Sequence, residues 1–71
     1  MRNKIYKVVL ALLDNKLLAI DGVFMLSYNI VSNKYMIWYL DNHSIPRVFD
    51  CCDTKDIMEF KWNILMSRKG I

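Results

Sequence analysis

The sequence predicts a small α+β domain: an antiparallel sheet of three or four strands with a helix before it and an amphipathic helix after it. Three observations carry this. Apolar residues recur at helical spacing near the start and again over the last twenty residues, while the middle alternates at strand spacing. An Asp-Gly pair divides two short apolar runs as a hairpin turn would. The single Pro and two Gly are the only strong breakers, so the chain has no obvious linker.

The first element runs from Asn3 to Asn15. Ile5, Val8, Val9, Leu12 and Leu13 follow the i, i+3, i+4, i+7, i+8 pattern of a helix, whereas the β-branched residues also permit a strand over Ile5 to Leu13. Helix is the favoured reading. Leu17-Leu18-Ala19-Ile20 and Val23-Phe24-Met25-Leu26 then flank Asp21-Gly22. This is a hairpin, or else the first helix continues to Ile20 and Gly22 caps it.

From Phe24 the chain alternates, with Phe24, Leu26, Tyr28 and Ile30 on one face. With Asn33-Lys34 as the turn, Ile30 would pair with Ile37 and Tyr28 with Tyr39. The other face would carry Met36 and Trp38 and need covering by the first helix, a second copy or a partner. A further strand follows from Ile45 to Cys51. Pro46 cannot donate to a ladder and confines that strand to an edge or a beginning.

The closing helix spans residues 54–69. Asp53 or Thr54 caps it, Asp56 suits the positive end of its dipole, and Arg68, Lys69 and Gly70 mark its end. Its wheel carries two apolar stripes. Ile57, Phe60 and Ile64 suit packing on the sheet. Met58, Trp62 and Met66 form a second stripe, with Leu65 between.

Composition narrows the function. One domain spanning residues 1–71 buries only about 60% of its unfolded surface, yet 55% of these residues are hydrophobic. Such a surplus suggests self-association or a larger protein partner. Met58, Trp62, Met66, Trp38 and Met36 are the expected partner-binding residues, because Trp is enriched at binding hot spots and Met adapts to irregular surfaces. The competing reading has the first helix pack against the closing-helix stripe, so that Met58, Trp62 and Met66 are all core.

Catalysis is not expected. No Gly-rich phosphate loop, GxSxG or HExxH occurs. A Cys–His pair would need Cys51 or Cys52 with His43, the only histidine, and four zinc ligands at recognisable spacing are lacking. No cofactor is expected. Cys51-Cys52 are adjacent and a disulfide between them would be strained, which favours a reducing, cytoplasmic setting. Residues 1–13 have a basic start and an apolar run, but Lys7 interrupts it and Asp14-Asn15-Lys16 replace a cleavage site. No uncharged apolar stretch approaches the roughly 20 residues of a membrane span.

The net charge of +3 is modest, with Arg2, Lys4, Lys7, Lys61, Arg68 and Lys69 near the ends. A small nucleic-acid-binding regulator is therefore the alternative, with Tyr28, Tyr35, Trp38 and Tyr39 as a stacking platform. The order helix, strands, helix resembles that of the double-stranded RNA-binding domain. The resemblance covers order alone: Asp53, Thr54, Lys55 and Asp56 stand where such domains carry a basic cluster. A winged-helix reading would make Ser32 to Asn42 a recognition helix, although Tyr35, Ile37, Trp38 and Tyr39 favour a strand. Ile, Lys, Asn and Tyr supply 25 of 71 residues and Lys outnumbers Arg seven to three. That bias fits an AT-rich genome, and with it a viral or mobile-element accessory protein or inhibitor.

Overall fold

In the computed structural model, residues 2–69 are described, and of these the side chains of residues 2–5, 7 and 69 are not. The terminator Gly70 and the basic side chains of Arg2, Lys4, Lys7 and Lys69 therefore lie outside the described residues. The elements are α1 (Arg2–Leu12), β1 (Asn15–Asp21), β2 (Phe24–Asn29), β3 (Lys34–Leu40), β4 (Pro46–Cys52) and α2 (Lys55–Lys69). The fold is α+β, and its four strands form an antiparallel sheet in the order β1-β2-β3-β4. Among the described residues no helix is long and apolar enough to cross a membrane.

The helical reading of the first segment holds, and so does the hairpin at Asp21-Gly22. The turn is set one residue later than an Asp-Gly turn would be. Asp21 pairs with Phe24, so Gly22 and Val23 are the central residues, and of these only Gly22 has positive φ, at 60°. That is the requirement of a II′ turn, with Gly first, rather than of I′.

The β2–β3 register differs from expectation by four residues. Tyr28 pairs with Tyr35, Leu26 with Ile37 and Phe24 with Tyr39. Asn29 is the cause. Its Oδ1 accepts from the backbone N–H of Val31 (3.0 Å) and Ser32 (2.8 Å), and its carbonyl accepts from Asn33 N–H (2.9 Å). This closes the loop over residues 30–33, with Asn33 at φ 58°, and strands Ile30 and Val31 in solvent. Because the shift is even, each side chain keeps its expected face. Residues 34–40 are a strand, which removes the recognition helix of the winged-helix reading.

The two helices lie on opposite faces of the sheet. Under α1, Leu10 packs with Met25 and Trp38, bordered by Leu17, Met36 and Leu40. Under α2, Met58 packs with Leu26 and Ile37, bordered by Tyr35, Cys52, Trp62 and Leu65. A short polar chain runs through the α1 side. Trp38 Nε1–H donates to Ser27 Oγ (2.8 Å), Ser27 donates to Asn15 Oδ1 (2.9 Å), and Asn15 Nδ2 donates to the Leu13 carbonyl (2.9 Å). It links β3, β2, β1 and the end of α1, and all three side chains are buried. Among the described residues each buried side-chain nitrogen and oxygen has a hydrogen-bond partner, as burial requires.

Both edge strands carry a bulge. In β1 the pairing steps from Leu17↔Ser27 to Ala19↔Leu26, and in β4 from Asp50↔Ile37 to Val48↔Trp38. The extra residues are Leu18 and Phe49. A bulge turns two consecutive side chains to one face, so Leu18 joins Ala19, and Phe49 joins Asp50, on the α2 side. Bulges at both edges also make further strand addition unfavourable.

Candidate protein-binding surface

The structure exchanges the roles of the two stripes on α2. Met58, 1% exposed, is the core residue, and Trp62 and Leu65 pack beside it. Met66 is half-buried. Ile57, Phe60 and Ile64, expected against the sheet, instead face solvent, with Phe60 67% exposed. The reason is steric and electrostatic together. Residues 58, 61, 62 and 65 share one side of the helix, and Lys61 reaches Asp50 of β4 with its Nζ 3.1 Å from Oδ2. Burial of Met58, Trp62 and Leu65 sets the rotation of α2, with the half-exposed ion pair beside it, and the flexible Met58 fills the centre of the sheet face.

On the other face, α1 covers the surface that seemed to need a partner. Trp38 is 6% exposed beneath Leu10, with its N–H engaged by Ser27, and Met36 is half-buried beside it. Of the five expected partner-binding residues, Met58 and Trp38 are therefore core, and Trp62, Met66 and Met36 are partly covered.

Exposed apolar residues occur on several elements, including Val8, Leu12 and Leu13 near the end of α1 and Ile30 and Val31 in the β2–β3 loop, and one stretch of them runs from α2 onto the sheet. It begins with Ile57, Phe60 and Ile64 on α2. Ile64 shares a cavity of ≈ 190 Å³ with Phe49 of β4, and Lys61, Asp50 and Arg68 line the same cavity. From Phe49 the surface continues to Phe24 and Tyr39, whose rings stand edge-on to it at 5.7 and 6.3 Å between centroids. Val23, Phe24, Tyr39 and Phe49 together line an open groove at that end of the sheet. Helix α2 does not cover this end, so the aromatics remain part-exposed. The signal for Phe49 was present in the sequence only as an apolar residue in an edge strand. Its facing depends on the bulge, which alternation does not reveal.

The remaining candidates are not drawn together. His43 lies in the β3–β4 turn, before β4, and Cys51 and Cys52 end that strand. At about 3.3 Å per residue this is a separation of roughly 20 Å. Both thiols are free, and Cys52 Sγ donates to the Thr54 carbonyl at 3.3 Å. Among the described residues no group of three His, Cys, Asp or Glu side chains could hold a metal ion. The aromatic platform is split: the Tyr28 and Tyr35 rings lie 4.8 Å apart at a 55° tilt on the α2 side, whereas Trp38 is buried on the α1 side. Lys34, the cation nearest them in sequence, lies 3.8 Å from Asp53.

The turn holding His43 is organised by Asp41. Its carboxylate accepts from Ile45 N–H (3.0 Å), His43 N–H (2.8 Å) and Arg47 Nε (2.9 Å). The Ile45 amide, followed by the Arg47 guanidinium, holds its pKa below the usual carboxylate value. This is a device of turn geometry, with Ser44 at φ 59°.

Compared with known proteins, the chain matches no family model, no curated protein and no solved structure.

Proposed function

We propose that this protein is a non-catalytic protein-binding module whose contact surface is the apolar band from Ile57 across Phe60, Ile64 and Phe49 to Phe24 and Val23. The observation behind it is the continuity of that band over a helix and a strand edge. Scattered exposed hydrophobics need no explanation, but a contiguous patch of this kind marks an interaction site. Its make-up suits a protein interface, with aromatic residues on both sides of a cavity that Lys61, Asp50 and Arg68 also line.

The test is site-specific photo-crosslinking in the producing cells, with a photoreactive phenylalanine analogue at position 60 or position 12. Leu12, 79% exposed on α1, is an equally accessible apolar control away from the band. Protein adducts from position 60 and few from position 12 are expected. Adducts to nucleic acid, or none at all from position 60, would overturn the reading in favour of the nucleic-acid alternative or of neither.

A further inference from the structure

Deepening the protein-binding reading and resting on it, we propose that the occupant of the apolar band is a second copy of this chain, with the two α2 helices antiparallel across a two-fold axis near Phe60. Area is the first argument. With about 200 Å² for a fully exposed aromatic side chain and somewhat less for Val or Ile, the exposed fractions along the band amount to roughly 500 Å² of apolar surface. A stable interface covers about 800 Å² per partner, and in homodimers about 65% of it is apolar, which is again roughly 500 Å². One copy's band therefore supplies the apolar area that a symmetric dimer of ordinary size uses, with the charged rim accounting for the remainder.

Charge is the second argument. The start of α2 is acidic, with Asp53 before it and Asp56 in its first turn, and its end carries Arg68. Asp56 and Arg68 form no ion pair among the described residues. With the axis near Phe60, antiparallel helices set Arg68 of one copy level with the residues just before α2 of the other, beside Asp53 and about one turn (~6 Å) along the helix from Asp56. That is within reach of the long arginine side chain, and the two helix dipoles oppose favourably. Parallel helices would set like charge beside like. The same arrangement lays Ile57 of one copy near Ile64 of the other, either side of the central Phe60. A two-fold interface of this kind is closed, so assembly stops at two.

The experiment is sedimentation velocity on the full chain over a wide concentration range, with thermal unfolding in parallel. A species of twice the 8.5 kDa chain mass is expected, with Tm rising as protein concentration rises. Phe60→Asp and Ile57→Lys, both at exposed positions, are expected to give a monomer or, if the fold depends on the dimer, a lower and concentration-independent Tm. Asp56→Arg should weaken association several-fold, and adding Arg68→Asp should restore it. A wild-type monomer at every concentration overturns the dimer, as does a Phe60→Asp protein that still sediments as one. Failure of the Arg68→Asp rescue overturns the antiparallel arrangement. A monomeric wild type whose position-60 probe crosslinks a different protein removes the dimer but leaves the protein-binding reading. Absence of any protein adduct removes both.

Discussion

Replacing Ser27 by Ala removes one oxygen from the most tightly enclosed polar group of the molecule. Ser27 is 0% exposed and stands between the Trp38 indole N–H and the side-chain amide oxygen Oδ1 of Asn15. Its loss strands both partners. Trp38 and Asn15 are 6% and 5% exposed, so water has little access to replace the hydroxyl. Each buried unsatisfied group costs about 1–3 kcal/mol, and the change should therefore destabilise by about 2–6 kcal/mol. A chain of 71 residues has a total stability of roughly 4–10 kcal/mol, so the loss approaches half of it. Urea unfolding followed by far-UV circular dichroism would read this as a lower midpoint at unchanged slope. Combining Ser27→Ala with Trp38→Phe, which removes the stranded donor, should cost less than the sum of the two single changes. A loss below about 0.5 kcal/mol, or strict additivity in the cycle, would refute the claim that this chain of hydrogen bonds supports the fold.

Two further expectations follow from α2 and the β3–β4 turn. Met58→Ala should destabilise by about 2–5 kcal/mol, whereas Ile57→Ala, on the stripe facing solvent, should change monomer stability by less than about 0.5 kcal/mol; equal losses in denaturant midpoint would mean the helix is rotated from the position described. Because the folded-state pKa of Asp41 is lowered, its contribution to stability is fully present above the unfolded value of about 3.9 and is lost as pH falls through the folded value. Asp41→Asn should accordingly flatten the fall in stability below about pH 4, as measured by Tm against pH, and an unchanged acid limb would remove the assignment.

Element types and order were legible in the sequence because each rests on a local signal: the spacing of Val8, Val9 and Leu12, the Asp-Gly break, the alternation around Leu26 and Ile37, and the first turn of α2. What escaped were features set by one side chain acting on a distant backbone. Asn29 ends β2 by holding the amides of Val31 and Ser32, and an apolar pattern continuing through Ile30 gives no hint of that. The bulges at Leu18 and Phe49 break the period of two on which strand-face assignment depends. The stripes of α2 were correctly separated and wrongly assigned. Both are apolar, and the choice between them rests on how Met58, Trp62 and Leu65 fit against Leu26 and Ile37, contacts between residues far apart in the sequence.

That exchange also explains why a surface remains to be covered at all. A four-stranded sheet of six- and seven-residue strands offers two faces, and this chain has one helix for each. Helix α2 approaches β3 and β4 through Met58, Trp62 and Leu65, which leaves the Phe24–Tyr39–Phe49 end of the same face open. The bulge at Phe49 then adds a third aromatic ring to that open end instead of directing it to the opposite face. Exposed Phe60 contributes nothing to the core cluster formed by Leu26, Ile37 and Met58. Phe49 and Phe60, both more than half exposed and outside the buried clusters, are the residues on which the proposed binding surface chiefly rests.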